Sequence, residues 1–170
     1  IAQAGKATSF EGQLVVFGEP TLGDGDCRVE WSSGGAERLV QQSIDQVAAV
    51  VDRTVATYGR IDILHNNAAD TRLEQMAADG SLLDLDAATW DRAFHVNARG
   101  TMLMIKAVAP HMIAGGGGSI INTSTGVALT GDINNPSYSA SKAAVNALTR
   151  NAAVQFGRFN IRVNAVAPGL

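Results

Sequence analysis

Tyr138 and Lys142 stand four residues apart in Tyr138-Ser139-Ala140-Ser141-Lys142. On a helix that spacing stacks the two side chains on one face. A phenol loses its proton near pH ~10. An ammonium held close favours the phenolate and lowers that value, which makes the tyrosine a usable acid or base near neutrality. The pair alone is a weak signal, because a half-exposed aromatic beside a solvated lysine looks the same in sequence. It gains weight from polar groups elsewhere: Asn66-Asn67, Asn97, Ser124-Thr125 and Pro168-Gly169. His65, His95 and His111 are too scattered for a metal site, and no metal is assigned. Asp24 and Asp26 lack the ligand spacing of a calcium loop and read as a turn with Gly23 and Gly25.

The elements that must position these groups follow in order. Residues 1–42 give two weak strand patterns, Gln13–Phe17 and Cys27–Trp31. Ser43 and Gln46 form a capping box that opens a helix. Ile44, Val47, Ala48, Val51, Val55 and Tyr58 line one stripe of it, and Gly59 stops it. Ile61–His65 is a short apolar-rich run expected as a buried parallel strand. It ends in Asn66-Asn67-Ala68-Ala69, either for close approach of a ligand to backbone or for satisfying loop amides. Asp86 caps the next helical pattern, which runs to Met112. Asn97 lies inside that pattern, where its amide competes for backbone groups, so a local kink that frees a carbonyl is expected. Ser119–Asn122 is a second strand and Ile161–Val166 a third. Between them, Asn135 and Pro136 are expected to cap and start the helix that carries Tyr138 and Lys142 to Phe156.

Helix and strand in alternation predict an α/β fold with parallel strands and right-handed crossovers. In such sheets a ligand lies beyond the carboxyl ends of the strands. The polar clusters fall there. The chain has 170 residues, 46% hydrophobic and 17% charged, which suits one well-cored domain rather than disorder. The net charge of -3 and the lack of a basic run give no support to a nucleic-acid partner or an anionic membrane. Cys27 is the single cysteine, so no internal disulfide can form and a reducing, cytoplasmic setting is expected.

Taken together, Asn66-Asn67-Ala68-Ala69, Asn97, Asn122-Thr123-Ser124-Thr125, Tyr138-x-x-x-Lys142 and Pro168-Gly169 resemble the short-chain dehydrogenase/reductase family in order and spacing. The likeness runs from about residue 43 to the end. It implies a Rossmann-like, doubly wound parallel sheet in three α/β/α layers. It also implies NAD or NADP as cofactor, and hydride exchange between an alcohol and a carbonyl in a small-molecule substrate. By position, Tyr138 resembles the acid/base group, and Lys142 the residue that binds the nicotinamide ribose and lowers the tyrosine. Asn97 resembles the asparagine that holds a water in the proton relay. Asn66 and Ala68 lie where the family passes the adenosine ribose, and Pro168 and Gly169 beside the nicotinamide. The resemblance also implies a homo-oligomer, dimer or tetramer, built partly on the Pro136–Phe156 helix.

Three departures qualify it. Thr125 stands thirteen residues before Tyr138, where the family usually has its catalytic serine, and Ser124 is its neighbour. Both are candidates, with Thr125 placed first. Asn-Asn-Ala-Ala replaces the family's Asn-Asn-Ala-Gly. No glycine-rich Gly-x-x-x-Gly-x-Gly or Gly-x-Gly-x-x-Gly loop for a pyrophosphate occurs in the chain. The expectation is therefore a divergent or incomplete part over 1–42, a core over 43–170, and a piece or variant of a longer enzyme that alone is inactive with dinucleotides. The alternative expectation is a catalytically inactive member serving subunit assembly.

Overall fold

The computed structural model describes residues 36–169. The strand patterns at Gln13–Phe17 and Cys27–Trp31, and the turn at Gly23–Asp26, lie outside them. Helix α1 spans Ala36–Tyr58 and strand β1 spans Ile63–Asn66. Two short helices follow, α2 over Leu73–Ala78 and α3 over Ala87–Ala93. A π-helical turn, Phe94–Arg99, leads into α4, Gly100–Ala114. Strand β2 is Gly118–Thr123, α5 is Val127–Thr130, α6 is Pro136–Phe156 and β3 is Ile161–Val166.

The three strands form a parallel sheet in the order β1-β2-β3, and their parallel direction is the one expected from sequence. Leu64, Ile120 and Val163 are register partners on one face, and all three are buried. Val51 of α1, Ile105, Val108 and Met112 of α4, and Ala152 of α6 close the core over that face. The alternate residues Ile63, His65, Arg162 and Asn164 are exposed. Among the described residues, then, two of the three expected layers are present, and β1 is buried on one face rather than both.

Local starts and stops show where sequence signals hold. Asp86 caps α3 by accepting the Thr89 amide at 2.7 Å. Gly59 ends α1 with φ 79°, the left-handed backbone that glycine adopts without penalty. The Ser43 capping box does not form the start of α1, which begins at Ala36. Ala36-Glu37-Arg38-Leu39-Val40-Gln41-Gln42 contains only residues that tolerate helix, so the chain makes no break at Ser43. Among the described residues no helix is long and apolar enough to cross a membrane.

Candidate active site

The strand ends supply the floor of the site. Asn66 donates its amide to Asn122 Oδ1 at 2.8 Å, and Asn122 donates to Thr149 Oγ1 at 2.9 Å. Asn122 is fully buried, so this ladder satisfies polar groups that would otherwise be costly beneath β1, β2 and α6. The Asn66 side chain is thereby committed to the protein, while Asn67 and Ala68 at the edge are exposed. At the far side, Ser124 N–H donates to Val166 O at 2.8 Å and Gly126 N–H to Pro168 O at 2.9 Å. These bonds hold Pro168-Gly169 against the Thr125 segment, and Gly169 has φ 82°.

Helix α6 brings Tyr138 to one side of a cavity of about 270 Å³, whose lining includes Asn97, Thr125, Val127 and Met76. Three of the expected residues, Asn97, Thr125 and Tyr138, therefore meet at one space. Burial raises the Tyr138 phenol above its ordinary value, and hydrogen bonding from Thr125 pulls the other way without overcoming it. This reverses the expected lowering by Lys142. The Lys142 ammonium lies 5.8 Å from the centroid of the Tyr138 ring and is directed elsewhere, donating to Thr123 O at 2.7 Å. Lys142 is 2% exposed, and burial holds its own pKa below the ordinary lysine value.

The two hydroxyls after β2 are separated by the structure. Ser124 is buried and donates to Lys142 O at 3.3 Å, so it faces the helix rather than the cavity. Thr125 faces the cavity.

Asn97 sits in the π-helical turn, where the Gly100 N–H reaches back to His95 O. The expected kink is realised in this form, with one extra residue in the turn. Its carbonyl accepts the Thr101 hydroxyl at 2.8 Å. Its side chain accepts the Asp70 N–H at 3.1 Å and donates to Ser141 Oγ at 2.9 Å, and Ser141 in turn donates to Tyr138 O at 2.7 Å. Asn97 thus ties the segment after β1 to the helix turn that carries Tyr138. Asp70 anchors that segment through Arg72 at 2.8 Å and Arg92 at 2.5 Å. Burial alone would raise its carboxyl, but hydrogen bonds and charge from the two arginines outweigh it and hold it low.

Sequence reasoning missed Asp79. Asn135 was expected to cap α6, but it is in the left-handed region at φ 56° and its side chain makes no cap bond. The Asp79 carboxylate accepts the amides of Ser137 and Tyr138 instead, each at 2.9 Å. Asp79-Gly80 reads locally as a turn, and no local signal links it to a helix that starts 57 residues later.

What this arrangement offers is a phenol and a hydroxyl on one cavity, with a buried ammonium one helical turn behind. The ammonium has three N–H bonds and spends one on Thr123 O; among the described residues no carboxylate pairs with it. Such a group can donate to further oxygen acceptors brought against it.

A family model described as short chain dehydrogenase matches residues 38–170. A 3-oxoacyl-[acyl-carrier-protein] reductase of Thermotoga maritima is 36% identical over 174 residues, covering 97% of this chain and 68% of that protein. A 7alpha-hydroxysteroid dehydrogenase of Bacteroides fragilis is 38% identical, covering 94% of this chain and 62% of that one. A probable short-chain type dehydrogenase/reductase of Bradyrhizobium diazoefficiens is 44% identical over 124 residues, covering 73% of this chain. Only 43% of that relative's length is spanned. Among solved structures, an NAD+-bound xylitol dehydrogenase superposes with a TM-score of 0.67 at 34% identity, over 74% of this chain and 46% of that one. The NADP-bound protein ElxO superposes with a TM-score of 0.69 at 33% identity, over 75% and 49%. The match to the family model over most of the chain, and the parallel sheet with its Tyr138 helix, establish that the chain belongs to the short-chain dehydrogenase family.

Proposed function

We propose that the complete protein is an NAD- or NADP-dependent oxidoreductase that exchanges hydride between a small alcohol and its carbonyl. The observation that carries this reading is the meeting of Tyr138, Thr125 and Asn97 at one cavity, with buried Lys142 one turn along α6. The relatives named dehydrogenases and reductases, and the NAD+- and NADP-bound neighbours, support it. Lys142 fits the ribose end of the cofactor, because it is a buried donor with N–H groups to spare. Asn66, Ala68, Pro168 and Gly169 flank the same strand ends. A pyrophosphate cradle is not among the described residues, so only the ribose and nicotinamide end is assigned to them.

When bound, the nicotinamide supplies or accepts the hydride. Tyr138 gives its phenolic proton to the nascent alkoxide in reduction and takes it from the alcohol in oxidation. Thr125 holds the substrate oxygen beside the phenol. Asn97 fixes the helix turn behind Tyr138 and is the residue assigned to hold a relay water, beside the Thr101 hydroxyl that its carbonyl already accepts. Secondary alcohols tested against each cofactor, with absorbance of the reduced nicotinamide as readout, check this activity. Absence of turnover together with absence of cofactor binding would favour the inactive, assembly-serving alternative.

Thr125 rather than Ser124 is the substrate hydroxyl in this reading, since Ser124 is spent on Lys142 O. Thr125→Ala is expected to lower kcat/KM by roughly 10²-fold, the typical loss of one positioned donor. Ser124→Ala should act mainly on thermal stability. A larger kcat/KM loss at Ser124 would reverse the assignment.

The complete protein is also proposed to be a homo-oligomer through α6. A groove of about 330 Å³ between α4 and α6 is lined by Met102, Ile113, Leu148 and Phe156. Val154 on α6 is 85% exposed. Sedimentation at micromolar concentration should give a dimer or tetramer, and a monomer would contradict it.

A further inference from the structure

We propose that Asp79 is a positioning residue for Tyr138, its buried carboxylate clamping the first turn of α6 at the rotation and height that put the phenol in the cavity. The inference rests on the reading of Tyr138 as the acid/base group.

The first amides of a helix have no intrahelical acceptor and must find one elsewhere. In α6 the accounting closes on a single residue. Asn135 donates its N–H to Asp79 O at 2.7 Å. Pro136 has no N–H. Ser137 and Tyr138 donate to the two carboxylate oxygens of Asp79, both at 2.9 Å. Ser139 N–H is the first to bond within the turn, to Asn135 O at 2.9 Å. Asn135 does not substitute: its backbone is left-handed and its side chain makes no cap bond.

Asp79 is 2% exposed, so these are charge-assisted bonds shielded from water, with a negative charge at the positive end of the helix. A distant cap could serve stability alone. Here one of the clamped amides is that of Tyr138 itself, and Asp79 also lines the cavity that Tyr138 faces. It follows α2, whose residues Gln75 and Met76 form part of the same lining. The clamp therefore joins one cavity wall to the acid/base residue on the other. Without it the turn frays, and the phenol leaves Thr125 for solvent.

The test uses Asp79→Asn and Asp79→Ala in the complete protein, beside Tyr138→Phe. Asparagine keeps one carbonyl oxygen for one of the two amides, and alanine keeps none. Three quantities are read: kcat per cofactor-binding site, cofactor Kd, and the phenol ionisation that disappears in Tyr138→Phe. Normalising kcat to binding sites removes any loss due to unfolded protein. The expected result is a graded fall in kcat per site, roughly tenfold for asparagine and nearer a hundredfold for alanine, as misplacement of a reacting group typically costs. Cofactor Kd should stay unchanged, since Lys142 lies beyond the frayed turn. The phenol, held high by burial, should titrate closer to its ordinary value of 10.0. Wild-type kcat per site with a wild-type phenol titration would overturn the inference, even if the melting temperature fell.

If neither variant folds, hydrogen exchange in the wild type can still overturn the clamp. The Ser137 and Tyr138 amides should be protected against exchange; rates of free first-turn amides would overturn the clamp. The two claims separate cleanly. Lost turnover in Tyr138→Phe with an unaffected Asp79→Asn sinks the clamp alone. Turnover retained in Tyr138→Phe sinks the proposed function, while the exchange and titration results still judge the clamp.

Discussion

Tyr138→Phe in the complete protein is expected to lower kcat by about 10²–10⁴-fold, the usual worth of general acid/base catalysis. Cofactor affinity should stay close to wild type, because the change removes one oxygen and leaves the ring and the helix in place. The ring lies at the cavity, half-buried, so the loss of its hydroxyl opens little space. The pH dependence adds a second signature. Burial holds the phenol above its ordinary value, with Thr125 opposing. Carbonyl reduction, which needs the protonated phenol, should therefore stay level through neutrality and fall only in the alkaline range. Alcohol oxidation, which needs the phenolate, should climb over that same range. Steady-state rates in both directions across pH check this, and an oxidation rate that is flat into the alkaline range would tell against Tyr138 as the base.

Lys142→Met is expected to cost roughly 10²–10³-fold in kcat/KM, the loss found when a positioned electrostatic donor is removed. Its effect on stability should run the other way. Lys142 is a buried cation whose pKa is pushed down by burial, and no carboxylate pairs with it among the described residues. Below its folded pKa the charged form is therefore destabilising relative to the unfolded chain, and that penalty disappears as pH rises through the folded pKa towards 10.5. Methionine fills a similar volume without the charge. It leaves Thr123 O without its donor, which offsets part of the gain. The variant should thus melt at or above the wild-type temperature at neutral pH, and any advantage should shrink in alkali. Thermal melts at several pH values measure this. An advantage that grows with pH would contradict the burial account of Lys142.

Sequence made the sheet legible because its strands are short apolar runs bounded by turn formers. Ile161–Val166 has the expected bounds, and the run before Asn66 is shifted by two residues at its start. The Asp86 cap and the Gly59 stop were legible for a similar reason: each acts within one turn of itself. Asn97 announced a break in its helix, and the structure answers with a π-helical turn.

What was missed depends on distance in sequence or on burial. The Ser43 capping pattern is a local signal overridden by seven preceding residues that also favour helix. Asp79 caps α6 from a segment far upstream, and spacing carries no trace of that pairing. The direction of the Tyr138 shift needed the burial of the phenol and the commitment of Lys142 to Thr123 O. A four-residue spacing encodes neither. The thirteen-residue count to Tyr138 placed Thr125 ahead of Ser124, but that Ser124 turns to the Lys142 carbonyl while Thr125 lines the cavity depends on packing that spacing does not encode.

The central claim is that this chain carries the ribose and nicotinamide end of a dinucleotide site, built on Lys142 and Tyr138 beyond the strand ends. Calorimetric titration of NAD and of NADP into the complete protein, in wild type and Lys142→Met, tests it without any knowledge of the substrate. The account predicts binding of at least one of the two dinucleotides by wild type and clearly weaker binding by the methionine variant. Binding that is equal in the two proteins, or absent for both dinucleotides in wild type, would contradict it.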